Sequence, residues 1–577
     1  MKKILAIVLS FMLLSSTATF VSAESDAQLI AYWNFDELSA DNTIEDLSGN
    51  GNNLIMQDSS YEIVKGYSGN TFDFNGGSSA YDNSKHMVIS SDILASQING
   101  SSAVTITAVM KKEVKGSGTN FTMFALNAGS NSIMMYIQAA KMATSSRSDY
   151  SSPAMSTAAD VIYPNIDDST SPDGWMHVAL VVDYANDNVK FYADGVLVGE
   201  EQAEATPQKF ATDTANYKTD VNDITKGYFG VGGRHVLVDD VRIYRGALDE
   251  EDIKKNVPPV LEYDFEEING GEIEDKGVNG MNIAVDGGEL VEGVENSTLK
   301  LSSRGTLPVC THRGLLYGAK QQSVSCWLRL SDGVLPSVAQ AVFAEGESDG
   351  MRLELMPDGS VCLGGKSTAG DGYRTVATDS GVFDSGDTSW HHIYGDFDYV
   401  SKKGRIYING SLAAEADLAF AGNYYNMSGG GSKADYIDLS STAGIFMDSL
   451  RIYRRCLMES EIEELSSVLP LVKAELSAEG SSVTAVCDVV NLTGGDIPEG
   501  GMTLILGAFD RATNRMVGGS MINLPQIANY RGLDAQSITV NGLDNPSDLV
   551  YKLFVWHGLD GVASYQDETV LTIGETE

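Results

Sequence analysis

The sequence predicts an all-β protein of several domains. Short apolar or alternating runs, for example at residues 104–109, 177–182 and 189–192, are separated by clusters of Gly, Asn, Asp and Ser. The runs have the period of strands, and the clusters have the composition of turns. Helical periodicity is confined to two short pieces, near residues 249–255 and 458–467. We therefore expect β-sandwich architecture.

Length and charge limit the domain organisation and the partners. A chain of 577 residues is too long for one hydrophobic core, so three or more domains are expected. The formal net charge is −40. Such a surface repels phosphate, so we expect no nucleic acid partner and no binding to anionic membranes. An acidic surface is compatible with binding of hard cations such as calcium.

The N-terminus has the layout of a secretory signal peptide. Lys2 and Lys3 precede an apolar run at residues 4–14, and residues 21–23 form a small-x-small cleavage pattern. The alternative is a membrane anchor, but the apolar run is too short to span a bilayer. We therefore expect a mature chain that begins near Glu24 and is secreted, either free or associated with the cell surface.

The chain also repeats itself. Five sequence blocks occur in the same order in two copies at nearly constant separation, which predicts duplication of a module of about 210–230 residues. The hairpin blocks contain Asp194-Gly195 and Asn409-Gly410, which are strong turn signals. The blocks begin at Ala31, Asp46, Gly174, Val189 and Val238 in the first copy, and at Leu261, Asp275, Ser389, Gly404 and Met447 in the second.

Proline residues indicate the domain boundaries. Pro258-Pro259 separates the two copies, and Leu469-Pro470 follows the second. The last hundred or so residues consist of strand-like runs, a length that suits a small Ig-like or fibronectin-type sandwich. The predicted segments are a signal peptide (1–23), two repeated modules (24–257 and 258–468) and a C-terminal module (469–577).

The motifs YWNFDE, DLSGNGNN, GWMHVAL, VKFYADG and VDDVRIYRGAL resemble the laminin-G-like, concanavalin-A-like (pentraxin-type) jelly-roll domains of bacterial secreted proteins. The resemblance covers residues 27–256 and, less closely, 257–468, where it departs at Lys276-Gly277-Val278 and at Ser449. It implies two jelly-roll sandwiches. It specifies function poorly, since such domains bind sugars, proteins or calcium, or act as spacers.

A calcium site in each jelly roll is the strongest site hypothesis. The turn at Asp46 and Asn50 offers carboxylate, amide and carbonyl oxygens. The resemblance implies pairing of the first and last strands, which would bring Asp239 or Asp240 towards this turn. The alternative is that Asp46 and Asn50 only stabilise a tight turn. The matching ligands in the second copy are Asp275, Asn279 and Asp448.

A ligand surface is expected on the concave sheet of the first jelly roll or on its rim loops. There, aromatic rings can stack on sugar rings while Arg and His donate hydrogen bonds. The alternative is that these are ordinary strand and loop residues. The candidates are Tyr136, Arg147, Tyr150, Tyr228, Arg234 and His235.

Several prominent side chains are predicted to be structural. Trp175 and Trp390 begin equivalent strands and are expected in the core rather than as sugar platforms. Arg242 and Arg451 alternate with apolar residues, so we expect them on an outer face, paired with acidic residues. The five cysteines lack CxxC spacing, and a disulfide within the second copy stays an alternative. They are Cys310, Cys326, Cys362, Cys456 and Cys487.

We predict no catalysis. Retaining glucanases need two carboxylates about 5–5.5 Å apart, whereas Glu354 has no acidic partner on its strand-like run. Gly346, Ser348 and Gly350 match a nucleophile elbow, but strand-like residues follow where a helix is required.

The leading hypothesis is a secreted carbohydrate-binding or adhesive protein whose partner is an extracellular glycan or a surface protein. The alternatives are a structural or protein-interaction component of an extracellular assembly, and a glycan hydrolase or lyase with an unrecognised site.

Overall fold

The structure is a computed structural model. It describes residues 27–56, 61–73, 87–90, 97–98, 101–112, 120–128, 131–138, 141–147, 155–159, 175–202, 228–231, 236–277, 282–284, 288–294, 297–301, 316, 318–345, 350–368, 370–425, 437–438, 444–467, 471–491, 496–511, 513–528, 532–557, 569–571 and 573. Within these ranges, no helix combines the length and the apolar composition needed to cross a bilayer. The predicted signal peptide lies outside them.

Module 1, the first repeated module, is built from antiparallel strands. They are β1 (Gln28–Trp33), β2 (Thr43–Ile44), β3 (Leu54–Met56), β4 (Glu62–Lys65), β5 (Asn70–Asp73), β6 (Met87–Ser90), β7 (Ala103–Lys112), β8 (Asn120–Ala128), β9 (Asn131–Gln138), β10 (Lys141–Arg147), β11 (Met155–Ala159), β12 (Trp175–Asp183), β13 (Asn188–Ala193), β14 (Val196–Gln202), β15 (Tyr228–Val231) and β16 (Val236–Arg245).

These strands form two large sheets with an apolar core. One sheet has six strands in the order β1-β16-β7-β12-β13-β14, and the other has eight in the order β11-β10-β9-β8-β15-β6-β3-β2. Alternate residues of β12, among them Val178 and Leu180, enter the core with Trp33 and Phe35. The first and last strands pair, with Tyr32 opposite Arg242, as the resemblance implied.

Module 2, the second repeated module, has the same plan. Its strands are β17 (Leu261–Tyr263), β18 (Glu272–Ile273), β19 (Ile283–Ala284), β20 (Gly288–Glu292), β21 (Ser297–Leu301), β22 (Gln321–Leu330), β23 (Gln340–Glu345), β24 (Arg352–Leu355), β25 (Val361–Gly365), β26 (Arg374–Ala377), β27 (His391–Asp398), β28 (Lys403–Ile408), β29 (Ser411–Asp417), β30 (Ile437–Asp438) and β31 (Ile445–Tyr453). One sheet runs β20-β21-β31-β22-β27-β28-β29 with β17 paired to β31, and the other runs β26-β25-β24-β23-β30.

A short helix closes each module, at the two places where the sequence shows helical periodicity. Helix α1 (Glu250–Lys255) begins at Asp249, whose side chain accepts a hydrogen bond from the Asp252 amide. In helix α2 (Glu459–Ser466), the Glu461 carboxylate accepts a hydrogen bond from the Met458 amide, 2.9 Å away. Both helices therefore have local capping interactions that fix where they begin.

The C-terminal module is a small β-sandwich. Its strands are β32 (Leu471–Glu479), β33 (Ser482–Val490), β34 (Thr503–Asp510), β35 (Met516–Asn523), β36 (Gly532–Val540), β37 (Leu549–Trp556) and β38 (Thr569–Leu571), with a 3-10 turn at Pro546–Asp548. Sheets β32-β33-β36 and β35-β34-β37-β38 share one apolar core. The all-β, multi-sandwich fold class is confirmed. An Ig-like topology and the domain boundaries stay predictions.

The two repeated modules pack closely together. Val109, Trp175 and Leu237 lie on the outer face of the six-stranded sheet, and they belong to the same apolar cluster as the core of module 2. A buried ion pair joins the modules, with Arg454 Nε 2.7 Å from Asp194 Oδ2. Module 1 therefore buries both faces of this sheet, which explains why β12 is buried along nearly all its length.

The matching cluster of module 2 contacts the C-terminal module. It contains Trp327, Trp390 and Phe446, with Val490 of β33 packed against it. Trp390 and Trp175 are nearly fully buried, as expected of core residues. The same face is thus covered by a neighbouring module in both copies.

The described cysteines are buried free thiols. They are Cys326, Cys362, Cys456 and Cys487, and Cys310 lies outside the described residues. No disulfide therefore connects any two of these four.

Candidate functional site

The structure places three predicted ligand residues on one sheet. Tyr136 lies in β9, Arg147 in β10 and Tyr228 in β15, all within the eight-stranded sheet of module 1. Tyr136 is opposite Ala143, so Arg147 lies four residues farther along its strand, roughly 13 Å away along the strand direction. Arg234, His235 and Tyr150 lie outside the described residues. These positions share a sheet without forming one compact cluster.

The Asp46 carboxylate accepts three hydrogen bonds from backbone amides. Its Oδ1 accepts from the amides of Tyr32 and Ser48, and its Oδ2 accepts from the amide of Asn52, each at 2.9 Å. Asn50 donates from Nδ2 to the Leu29 carbonyl at 3.2 Å. A calcium ion would have to compete with these N–H donors. These hydrogen bonds are the ones expected if Asp46 and Asn50 stabilise a tight turn.

Asp275 repeats this arrangement in module 2. Its Oδ1 accepts from the amides of Glu262 and Gly277, at 2.9 and 2.8 Å. Its own amide donates to Asn282 Oδ1, as the Asp46 amide donates to Asn53 Oδ1. Asn279 lies outside the described residues. The duplicated turn is thus preserved although its sequence differs.

Asp239 is bonded to a different loop from the Asp46 turn. Its Oδ2 accepts from the Tyr67 amide at 2.8 Å, and its Oδ1 accepts from the Asp240 amide at 2.7 Å. A Cβ on Gly66 would lie 2.5 Å from Oδ2, so glycine is needed for this approach. Burial raises the pKa of Asp239 to about 8.

Asp448 occupies the equivalent position in module 2. Its Oδ2 accepts from the Val294 amide at 2.7 Å, and a Cβ on Gly293 would lie 2.5 Å from that oxygen. Among the residues that the structure describes, no three His, Cys, Asp or Glu side chains are grouped as a metal site requires. The sequence contains no signal that singles out Gly66 or Gly293 from the other glycines.

The outward arginines pair with acidic residues, as predicted, but through different positions. Arg242 lies 2.9 Å from Asp240 Oδ2 and stacks over the Tyr32 ring at 4.4 Å. Arg451 instead lies 2.8 Å from Glu262 Oε1. Block alignment makes Glu262 the counterpart of Tyr32 and Ser449 that of Asp240. In module 1 the carboxylate lies on the same strand as the arginine, and in module 2 it lies on the paired strand β17. Each copy therefore has one such ion pair.

Module 2 has a surface of polar and aromatic side chains. Of its residues, only Glu354 was considered for a catalytic role from the sequence. Arg352 and Glu354 alternate with the core residues Leu353 and Leu355, so they face away from the core. Their side chains lie 3.6 Å apart and are 30% and 19% exposed. This surface, called the outer face of module 2, also includes Cys362 and Gly364 of the neighbouring strand β25.

Tyr373 lies against this outer face. A Cβ on Gly364 would be 2.4 Å from Tyr373 Oη and 2.6 Å from Cε1, so the ring edge lies directly over the glycine. Tyr373 is 40% exposed. Close by in the chain, Arg374 lies 3.5 Å from Asp371. The only sequence signal for this arrangement is a tyrosine that shortly follows the Gly364-Gly365 pair of β25.

Glu354 has no acidic neighbour across its strand pairs. The residues opposite it are Ala341 on β23 and Cys362 on β25. Burial raises the pKa of the Cys362 thiol, and the Glu354 carboxylate raises it further. Residues 346–349 of the elbow motif lie outside the described residues, and in the sequence they come between strands β23 and β24.

Comparison with known protein families identifies the superfamily to which this chain belongs. The family model described as concanavalin A-like lectin/glucanases superfamily (Laminin_G_3) matches residues 82–254 and 304–463. These two segments cover more than half of the 577 residues. The chain belongs to this superfamily. The tandem jelly-roll prediction is thereby confirmed, whereas membership of a pentraxin-type subgroup stays a prediction. No curated protein is significantly similar in sequence.

Solved structures with distant similarity to this superfamily member include binding domains. The binding domain of Paraclostridial Mosquitocidal Protein 1 shares 12% identity, with 73% of this chain and 91% of that one covered and a TM-score of 0.32. Domain 4 of AbnA, a GH43 extracellular arabinanase from Geobacillus stearothermophilus solved with arabinotriose, shares 18% identity, with coverage of 40% and 98% and a TM-score of 0.27. At these TM-scores, no function is transferred from either structure.

Proposed function

We propose that this chain is a secreted, non-catalytic protein that binds an extracellular glycan or a glycosylated surface partner. One contact surface is the outer face of module 2. The observation that supports this proposal is the Tyr373 ring held over Gly364 beside the Arg352–Glu354 pair. An exposed aromatic ring beside a cation and a carboxylate offers stacking and hydrogen bonds to a sugar ring.

The absence of a second carboxylate opposite Glu354 supports binding without hydrolysis. Ala341 and Cys362 occupy the two cross-strand positions. Retaining and inverting glycosidases both need a second acidic group across the scissile bond. We therefore expect glycans to be bound and released unchanged, which chromatography of the recovered glycan would check.

The binding test is a glycan and polysaccharide screen with the mature chain and with Tyr373→Ala. Loss of the stacking ring is expected to weaken binding about tenfold or more. Val400→Ala is the matched control, because Val400 is exposed in the same module but lies in the β27–β28 turn. Equal binding by wild type and Tyr373→Ala would remove the outer face from the proposal. Silence across the screen would reject glycan binding.

Calcium is proposed at the Asp46 and Asp275 turns and needs its own test. If calcium binds there, EDTA lowers the melting temperature, because a ligand that binds only the folded state stabilises it. The screen is repeated with calcium and with EDTA for the same reason. An unchanged melting curve in EDTA would leave Asp46 and Asp275 with the turn-stabilising role alone.

Secretion is proposed from the N-terminal pattern of Lys2, Lys3 and the apolar run that follows. Expression of the complete chain in a secreting bacterium is expected to release protein whose N-terminus is near Glu24. Recovery of uncleaved chain inside the cells would contradict this proposal.

A second candidate function is self-assembly, favoured by strand β35. Among the described residues it is the edge strand of its sheet, and it contains no charged residue although the chain carries a net charge of −40. Met516, Val517 and Met521 are exposed on it. An uncharged edge can pair with the same strand of a second copy. In that case Val517→Lys converts a dimer to a monomer in sedimentation analysis, whereas a monomeric wild type excludes this function.

A further inference from the structure

A cavity of about 250 Å³ lies at the junction of modules 1 and 2. Module 1 contributes Met176 and Asp194, together with Val196 and Val198 of strand β14. Module 2 contributes residues 318–320, 423–424 and 454. Ligand pockets often lie at domain interfaces, and this volume is below the range that suits drug-sized ligands. The cavity therefore fits a molecule with a single ring.

The charged groups that line this cavity carry an excess of one positive charge. Arg454 and Asp194 form the ion pair between the modules, and their side chains are only 2% and 9% exposed. Asp194 also accepts a hydrogen bond from the His177 amide at 3.2 Å. Lys320 lies on the same wall, and no carboxylate among the described residues pairs with it. One cation is thus left for a ligand.

Hydrogen bonds hold the module 2 wall of the cavity in place. The Gly318 amide donates to the Tyr425 carbonyl, and the Tyr425 amide donates to the Ala319 carbonyl, both at 2.8 Å. Lys402 Nζ donates to the Gly422 carbonyl at 2.9 Å. Asn423 and Tyr424 lie between these anchored points. A preformed wall lowers the entropy cost of binding.

We propose that this junction cavity binds a monosaccharide that carries a carboxylate. The ligand carboxylate pairs with Lys320, and its hydroxyl groups bond to Asn423, Tyr424 and Asp194. Val196 and Val198 supply an apolar wall for the ring. The site is separate from the outer face of module 2 and does not depend on glycan binding there.

The test compares glucuronate with glucose by isothermal titration calorimetry on the mature full-length chain. The two sugars differ in the carboxylate that Lys320 recognises. We expect glucuronate, galacturonate or N-acetylneuraminate to bind at least tenfold more tightly than glucose, since a charge-assisted hydrogen bond contributes about that much. Equal affinities, or no heat from any of the three acids, would overturn the proposal.

Variants locate the binding to this cavity. Lys320→Gln is expected to remove the preference for the acid, and Lys320→Arg is expected to retain it. Lys403→Gln is the control, because Lys403 is an exposed lysine of the same module that pairs with Glu415. An acid preference that survives Lys320→Gln would contradict the site, even if the outer face binds glycans.

Discussion

At the scale of single residues, four buried carboxylates accept hydrogen bonds from the backbone of a turn or loop. Asp46 and Asp275 hold equivalent turns, and Asp239 and Asp448 hold equivalent loops. A carboxylate can accept up to about four hydrogen bonds, more than any neutral side chain. The sequence singled out Asp46 and Asp275 as calcium ligands or turn residues, and it does not separate the two roles because a calcium site and an Asx turn require the same residue types.

We predict that Asp46→Ala destabilises module 1 by about 2–3 kcal/mol, because three backbone N–H groups would lose their acceptor. Thermal unfolding would show a lower melting temperature. Glu37→Ala is the control, since Glu37 is exposed and close in sequence. Equal melting temperatures for the two variants would mean that the Asp46 bonds contribute little.

His177 is buried, and neither ring nitrogen has a hydrogen-bond partner among the residues that the structure describes. Burial lowers its pKa to about 3, against an ordinary value of 6.5. The unfolded chain therefore binds a proton between pH 6.5 and 3 that the folded chain does not, and stability falls as pH falls through that window. At pH 4.5, two units below the ordinary pKa, this one group lowers the free energy of unfolding by about 2.7 kcal/mol.

We predict that His177→Leu makes the loss of stability between pH 6.5 and 4.5 shallower than in wild type. Denaturant unfolding at both pH values measures the difference. His392→Leu is the matched variant, with the same expected effect on slope, because burial also lowers the pKa of His392 to about 3. At pH 7, His392→Leu is expected to be less stable than His177→Leu, because it removes the hydrogen bond of 2.9 Å between Ser325 Oγ and the His392 ring. Parallel slopes in all three proteins would contradict the prediction.

At the scale of elements, alternation in the sequence predicts which residues of a strand face the core. The run Arg352-Leu353-Glu354-Leu355 is such a case, and both leucines are buried. In strand β12, alternation does not predict burial. Trp175, His177 and Ala179 lie on the face that points away from the core of module 1, and they are nevertheless buried. That burial comes from packing against other elements, which strand periodicity does not encode.

The pairing of Gly364 with Tyr373 leads to a prediction about β25. A methyl group at Gly364 would collide with the tyrosine ring, so Gly364→Ala is expected to displace Tyr373. Tyrosine fluorescence or an NMR shift of Tyr373 would report the displacement, and glycan affinity is expected to fall as in Tyr373→Ala. Gly370→Ala is the control, because a Cβ there meets no atom within 4 Å. An unshifted Tyr373 signal in Gly364→Ala would count against this geometry.

At the scale of the whole molecule, the Arg454–Asp194 ion pair is a buried charged contact between modules 1 and 2. We predict that Arg454→Leu destabilises the junction by about 3 kcal/mol, because it leaves Asp194 buried without its cation. The double variant with Asp194→Asn is expected to lose at least 1 kcal/mol less than the sum of the single variants. Asparagine suits this turn, since Asn409 has φ 53° where Asp194 has φ 50°.

Calorimetry of the four proteins measures this coupling. Lys403→Ala, which breaks the exposed pair with Glu415, is the control and is expected to leave the melting temperature unchanged. Strictly additive losses in the double variant would mean that the pair does not couple the two modules.

The sequence by itself determined the all-β class, the duplication and the turns at Asp46, Asp275, Asp194 and Asn409. These features depend on residue period and on local backbone conformation, both of which are written in short stretches of chain. Only the tertiary structure decided that Asp239 bonds to the Gly66–Ser68 loop, that Tyr373 covers Gly364, and that Arg454 meets Asp194. The last two residues are 260 positions apart. Contacts of this kind depend on how sheets and modules pack, so no local pattern in the sequence specifies them.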